Sequence, residues 1–209
     1  MLFRSALWAK LRALISNEPR LGDRIEVHSM NAIGRRLYEL NVAPLQLASR
    51  ETIAELVKEA SKEGGEHKFS DHFLLTEWEH VVDAWQLDSW EAYRDVVRLG
   101  RKTRLNEKQR AILWSIFERV EASLRSRGLL TQSAMFSRIA EKLSGNSRSP
   151  FNFAVVDEAQ DISVAQLRFL AALGASSPNG LFFAGDLGQR IFQQPFSWKA
   201  LGVDVRGRS

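Results

Sequence analysis

Two stretches of this sequence end an apolar run in residues able to handle a metal–phosphate group. Val155-Val156-Asp157-Glu158-Ala159-Gln160-Asp161 sets two adjacent acids directly behind an apolar run. If that run is a buried strand of an open α/β sheet, both acids stand at its carboxyl end, where such sheets bind ligands. One carboxylate can hold Mg²⁺, usually through water, while the metal neutralises phosphate charge. The next carboxylate faces differently and can orient or deprotonate a water. A structural role competes, with Asp157 as a helix N-cap and Glu158 as a surface residue opening the following helix. The second stretch, Phe182-Phe183-Ala184-Gly185-Asp186-Leu187-Gly188-Gln189, has the same form, and its Gly-Asp turn follows the acidic pair by 28 residues. Gln189 could sense a terminal phosphate with one end of its amide. A Gly-Asp turn alone is commonplace; at this spacing it reads as a companion motif.

These residues need strands and helices to position them. Phe151–Val156 and Leu181–Ala184 read as short buried strands, and Ile162–Leu173 between them as a helix. Strand, helix, strand is the unit of a parallel α/β sheet. Arg24–His28 reads as a further strand, followed by a helix from about Asn31 to Leu40 that Pro44 terminates. Residues 45–145 read as entirely helical. Ile112, Leu113, Ile116, Phe117, Val120 and Leu124 recur at three- and four-residue steps, with Glu121 and Arg125 paired on the flank. Trp78, Val81, Val82 and Trp85 form one more stripe, and Trp90, Tyr93 and Val97 another. These aromatics suit a helical core better than a base-stacking platform. Ser144–Pro150 has the composition of a polar linker. The expected organisation is an α/β domain in two parts, 1–43 and 150–209, with an all-helical insertion over 44–149.

Composition narrows the function classes. Hydrophobic residues make up 44% and charged residues 26% of the 209, which is ordinary for a globular protein. The chain has no cysteine, which excludes disulfides, thiolate catalysis and Cys-based zinc sites. No apolar run approaches the ~18–20 residues needed to cross a bilayer, so no membrane role is expected. The net charge of +4 hides an asymmetry: residues 92–148 carry thirteen Lys/Arg against five Asp/Glu. A basic segment on a near-neutral body suits a polyanionic partner, although charge alone favours a solvated helical face. The basic N-terminus, with Phe3, Leu7, Leu11 and Leu14 at helical spacing, reads as an amphipathic helix rather than a targeting peptide.

The two acidic and Gly-Asp strings, in this order and spacing, resemble motifs II and III of the UvrD/Rep-type superfamily 1 DNA helicases. RIEVHSMNAIGRRLYEL (24–40) is similar to that family's T-F-H-x-L-type motif, with Ser29 where the family has Thr and Asn31 where it has His. The GRKTRLNEKQRAILWSIFERV run resembles the helical insertion of the first RecA-like domain. The resemblance implies a partial RecA-like (P-loop NTPase) parallel sheet with a large all-helical insertion. It implies ATP and Mg²⁺ as cofactors and single-stranded DNA as partner. Asp157 matches the Mg²⁺-coordinating acid, Glu158 the residue that activates water, and Gln189 the γ-phosphate sensor, with Asp186 beside it in the nucleotide site. Ser29 and Asn31 match positions that touch DNA phosphates. Gln194 falls where the family places a base-stacking aromatic, so Phe192, Phe196 or Trp198 would have to substitute. The family points to a bacterial-type cytoplasmic protein, with repair among its roles, moving 3′ to 5′.

No G-x-x-x-x-G-K-S/T occurs in the 209 residues; Gly100-Arg101-Lys102-Thr103 lacks the glycine directly before lysine. The expectation is an internal piece of a longer helicase, inactive alone for want of a phosphate-cradling loop and a second RecA-like domain. The alternative is a non-catalytic nucleic-acid-binding or interaction module of helicase ancestry. A third reading, an unrelated metal phosphohydrolase, would need further ligands that His28, His67, His72 and His80 do not supply by spacing.

Overall fold

The computed structural model describes residues 24–98, 103–145, 149–175 and 177–185, with isolated positions 13, 14, 16, 17 and 20. Over these residues the chain is mostly helical with one small parallel sheet. In order come α1 (Met30–Asn41), α2 (Arg50–Glu63), and α3 (Asp71–Glu77), which runs into a π-helical turn, Trp78–Asp83. Then follow α4 (Trp90–Asp95), α5 (Glu107–Ser126), α6 (Gln132–Ser144), β1 (Ala154–Val156), a 3₁₀ turn (Ala159–Asp161), α7 (Val164–Gly174) and β2 (Leu181–Phe183). Each of α1–α7 starts behind a side-chain cap. Ser29, Ser49, Ser70, Ser89, Asn106, Thr131 and Ser163 each accept the amide N–H three residues on. A cap of this kind stabilises a helix start by about 1 kcal/mol. None of these helices is long and apolar enough to cross a membrane.

The buried apolar residues fall into two clusters. One joins α1, α6, β1 and α7, with Tyr38, Phe136, Ile139, Val156, Leu167 and Phe169 among its members. The other joins α2, α3, the π-helical turn, α4 and α5 around Trp78, Tyr93 and Phe117. Tyr93 stacks on Trp114 at 5.7 Å and meets Phe117 edge-on at 5.8 Å. Ring pairs in these geometries add about 0.5–1.5 kcal/mol beyond burial. Thus α6, which the sequence groups with the helical block, packs on α1 and α7 instead.

The chain passes between the two clusters on two adjacent connectors. Leu130 N–H donates to Gln46 O (2.9 Å) and Ala48 N–H to Leu130 O (2.8 Å), a single parallel bridge. Beside it Asp83 accepts from the Thr131 hydroxyl and, at 2.9 Å, from Gln86 Nε2. Thr131 Oγ1 in turn accepts Ala134 N–H at 3.0 Å, so one hydroxyl both caps α6 and ties it to the helical block.

Burial holds the Asp83 carboxyl above the usual range, against the hydrogen bonds from Thr131, Ser133 and Gln86; Glu79 adds a smaller push in the same direction. Burial and the Asp83 charge raise Glu121 likewise, opposed by Arg125 and Arg138. A raised carboxyl pKa means that the native state binds more protons than the unfolded one, so stability falls as pH rises from about 4. Asp83→Asn keeps the acceptor oxygen and removes the ionisation. Urea denaturation from pH 4 to pH 7 should show the variant gaining on the wild type as pH rises. Parallel curves would show that Asp83 does not carry the dependence.

Three expectations need correction. Residues 24–28 form no strand. Among the described residues no strand pairs with this stretch, which is tied down through side chains: Glu26 accepts from Arg36 at 2.6 Å and lies 2.8 Å from His28 Nε2. The strands are buried on one face only. Val156 is 8% exposed, but Phe153, Val155 and Phe182 are 71%, 75% and 64% exposed, because α6 and α7 cover a single side. Val97 lies beyond the end of α4 and is exposed, so the stripe it was to complete stops at Tyr93. His67 is half-buried, with Nε2 2.9 Å from the Ser61 hydroxyl.

Candidate active site

β1 and β2 run parallel with Ala154 opposite Leu181, Val155 opposite Phe182 and Val156 opposite Phe183. The ladder continues past the strand ends. Ala184 N–H donates to Val156 O (2.8 Å), and Ala159 N–H donates to Ala184 O (2.9 Å). The two strings singled out in the sequence are therefore hydrogen-bonded to each other at the carboxyl edge of the sheet. Asp157 is exposed and Glu158 half-buried.

The turn that carries them is strained. Glu158 has φ 54° and ψ 45°, the left-handed region, which costs a non-glycine residue about 1–2 kcal/mol. Three contacts hold it there: Ala159 N–H on Ala184, Asp161 N–H on Glu158 O (2.9 Å), and Glu158 N–H on Asp157 Oδ1 (2.9 Å). Gly185, at φ 156°, lies directly against this turn. A Cβ there would sit 2.3 Å from Gln160 Oε1 and 2.8 Å from Ala159 N. Only glycine allows that approach.

The capping role for the acids is not realised. The helix that follows, α7, is capped by Ser163, whose Oγ accepts Gln166 N–H at 3.2 Å while Gln166 Oε1 accepts Ser163 N–H at 3.0 Å. Asp157 and Glu158 stand six and five residues before Ser163, spared from helix capping. Glu158 Oε2 accepts from Gln160 Nε2. No group of three or more His, Asp or Glu among the described residues converges as a metal site. Asp157, exposed at this edge, offers the carboxylate oxygen that a hard cation such as Mg²⁺ prefers.

The strings that form this edge belong to a recognised family. The family model for the UvrD/REP helicase N-terminal domain matches residues 15–197. This chain belongs to that family. No curated relative and no solved structure matches it. The match takes in both the acidic turn and the α1 region of this UvrD/Rep-type chain.

Other predicted positions are placed less fully. Ser29 caps α1, its Oγ accepting Ala32 N–H at 3.2 Å. Its hydroxyl proton is left for another acceptor. Asn31 is exposed in the first turn of α1. No hydrogen bond joins Ser29 or Asn31 to the Asp157–Glu158 turn. Asp186, Gln189, Phe192, Gln194, Phe196 and Trp198 lie outside the described residues. Gln160 is a further residue of this turn, buried behind the two acids. Its signal was an amide two residues beyond a candidate base, inside a turn rather than a helix.

Proposed function

We propose that this chain contributes the acidic half of a nucleotide site to an ATP-driven helicase that moves 3′ to 5′ along single-stranded DNA. The observation that carries the reading is the turn at the sheet's carboxyl edge. Asp157 and Glu158 are there spared from helix capping and tied through Ala184 to the Gly185 turn. In this reading the parallel strands belong to a RecA-like sheet. Asp157 holds Mg²⁺ through water, and Glu158 takes the proton from the water that attacks the γ-phosphate. Gln189, with Asp186 beside it, senses that phosphate. ATP bound with Mg²⁺ supplies the free energy for movement. Ser29 and Asn31, at the N-terminus of α1, contact DNA phosphates, a placement that the helix dipole favours. Phe192 or Trp198 supplies base stacking.

The 209 residues contain no phosphate-cradling G-x-x-x-x-G-K-S/T. The chain alone is therefore expected to bind single-stranded DNA without responding to Mg²⁺-ATP. Fluorescence anisotropy at 50 and 200 mM salt should show binding weakened on the order of tenfold, what two or three phosphate contacts give. In the helicase polypeptide that joins this chain to a phosphate-binding loop, Glu158→Gln should lower kcat for DNA-stimulated ATP hydrolysis. A general base is worth about 10²–10⁴-fold. Hydrolysis untouched by Glu158→Gln would sink the catalytic reading and leave a nucleic-acid-binding module.

A further inference from the structure

Gln160 is 8% exposed, and its amide does two unlike things. Nε2 donates to Glu158 Oε2. Oε1 is buried and receives no hydrogen bond. It lies so close to Gly185 that a side chain there would collide with it at 2.3 Å. A buried acceptor left open destabilises a fold. A leucine would fill much the same space without that cost, so packing does not explain the amide. Its donor does have a use. A glutamate side chain is rotamer-rich, and fixing it costs conformational entropy. Glu158 already sits on a strained backbone. The Gln160 amide engages one carboxylate oxygen and leaves Oε1 of Glu158 free to accept from water.

We propose that Gln160 is a positioning residue for Glu158. It fixes which carboxylate oxygen faces the attacking water. By resting on Gly185, it also couples that orientation to the turn behind β2. A shift of the Gly185 turn then moves the base without breaking either strand. The catalytic meaning of this coupling rests on the proposed function; the coupling itself does not, and it can be read without ATP turnover.

The experiment is side-chain NMR on the 209-residue chain with ¹³C-labelled glutamate and ¹⁵N-labelled glutamine. In the unmodified chain, one Gln160 Nε2 proton should be shifted downfield and slow to exchange, and Glu158→Ala should abolish both properties. Gln160→Leu keeps the packing volume. It should move the Glu158 Cδ line toward that of an exposed glutamate such as Glu55, while the backbone amides of β1, β2 and α7 stay in place. A Glu158 line unmoved by Gln160→Leu overturns the proposal. So do changes spread through both strands and α7, which would make Gln160 a packing residue. If Gln160→Leu does not fold, the unmodified chain decides: Nε2 protons in fast exchange refute the contact. Loss of ATP hydrolysis as the proposed function, tested by Glu158→Gln in the joined polypeptide, would leave these spectra unchanged, so the two failures are distinguishable.

Discussion

Glu77→Ala is expected to cost the helical block about 3–5 kcal/mol, because it strands a buried cation. Glu77 is fully buried, and Arg98 reaches it with a side chain only 5% exposed. The pairing is bidentate, Nε to Oε1 at 2.5 Å and Nη2 to Oε2 at 2.6 Å, and the Tyr93 hydroxyl donates to Oε1 at 3.2 Å. Arg98 Nη1 also donates to Thr103 O, so the pair anchors the chain on both sides of residues 99–102. Removing Glu77 leaves a buried guanidinium without its carboxylate. Replacing both partners by apolar residues of similar volume should recover most of the loss, since the desolvation penalty of both charges goes with them. Urea denaturation of the single and double variants settles the point. A single variant within 1 kcal/mol of wild type would mean that Arg98 escapes to solvent.

Phe169→Ala strikes the other cluster, with an expected cost again of about 3–5 kcal/mol. Phe169 is fully buried on α7, its ring 5.4 Å from that of Phe136 on α6. The cavity would open beneath the helix that follows the acidic turn. Because the two apolar clusters are separate, the loss should appear unevenly. Amide exchange should accelerate in α6, α7, β1 and β2 well before it does in α5. Uniform acceleration throughout would show the two clusters to be one cooperative unit.

Much of the framework was legible in the sequence. The expected helices near 31–40 and 162–173 are Met30–Asn41 and Val164–Gly174, and the apolar runs before Asp157 and Gly185 are β1 and β2. Local signals suffice there: periodicity, a Ser cap and a breaking Pro each act within a few residues. What stayed hidden depends on distant partners. Glu77 and Arg98 are 21 residues apart, and nothing in either neighbourhood marks them as a buried pair. The choice of α6 to pack on α7 is a tertiary decision that an amphipathic pattern does not encode. Burial of the strands was overread because an apolar run shows that a strand can be covered, not that both its faces are. At the site, the acids were legible as a pair of types. The left-handed turn at Glu158 and the Gln160 contact were not, since the turn is held through Ala184 beyond β2 and the Gln160 amide lies against Gly185.

The bridge between Gln46–Ala48 and Leu130 places the start and the finish of the helical block side by side. A segment whose two ends already touch behaves like a cartridge. Its removal leaves a gap that a very short peptide can close, and its enlargement adds little loop-closure entropy to the rest, since that entropy grows only with the logarithm of length. The α1–α6–α7 cluster is then free to keep its path whatever is plugged into that slot. The block is thus open to exchange, by graft or by drift, without disturbing the turn that carries Asp157 and Glu158.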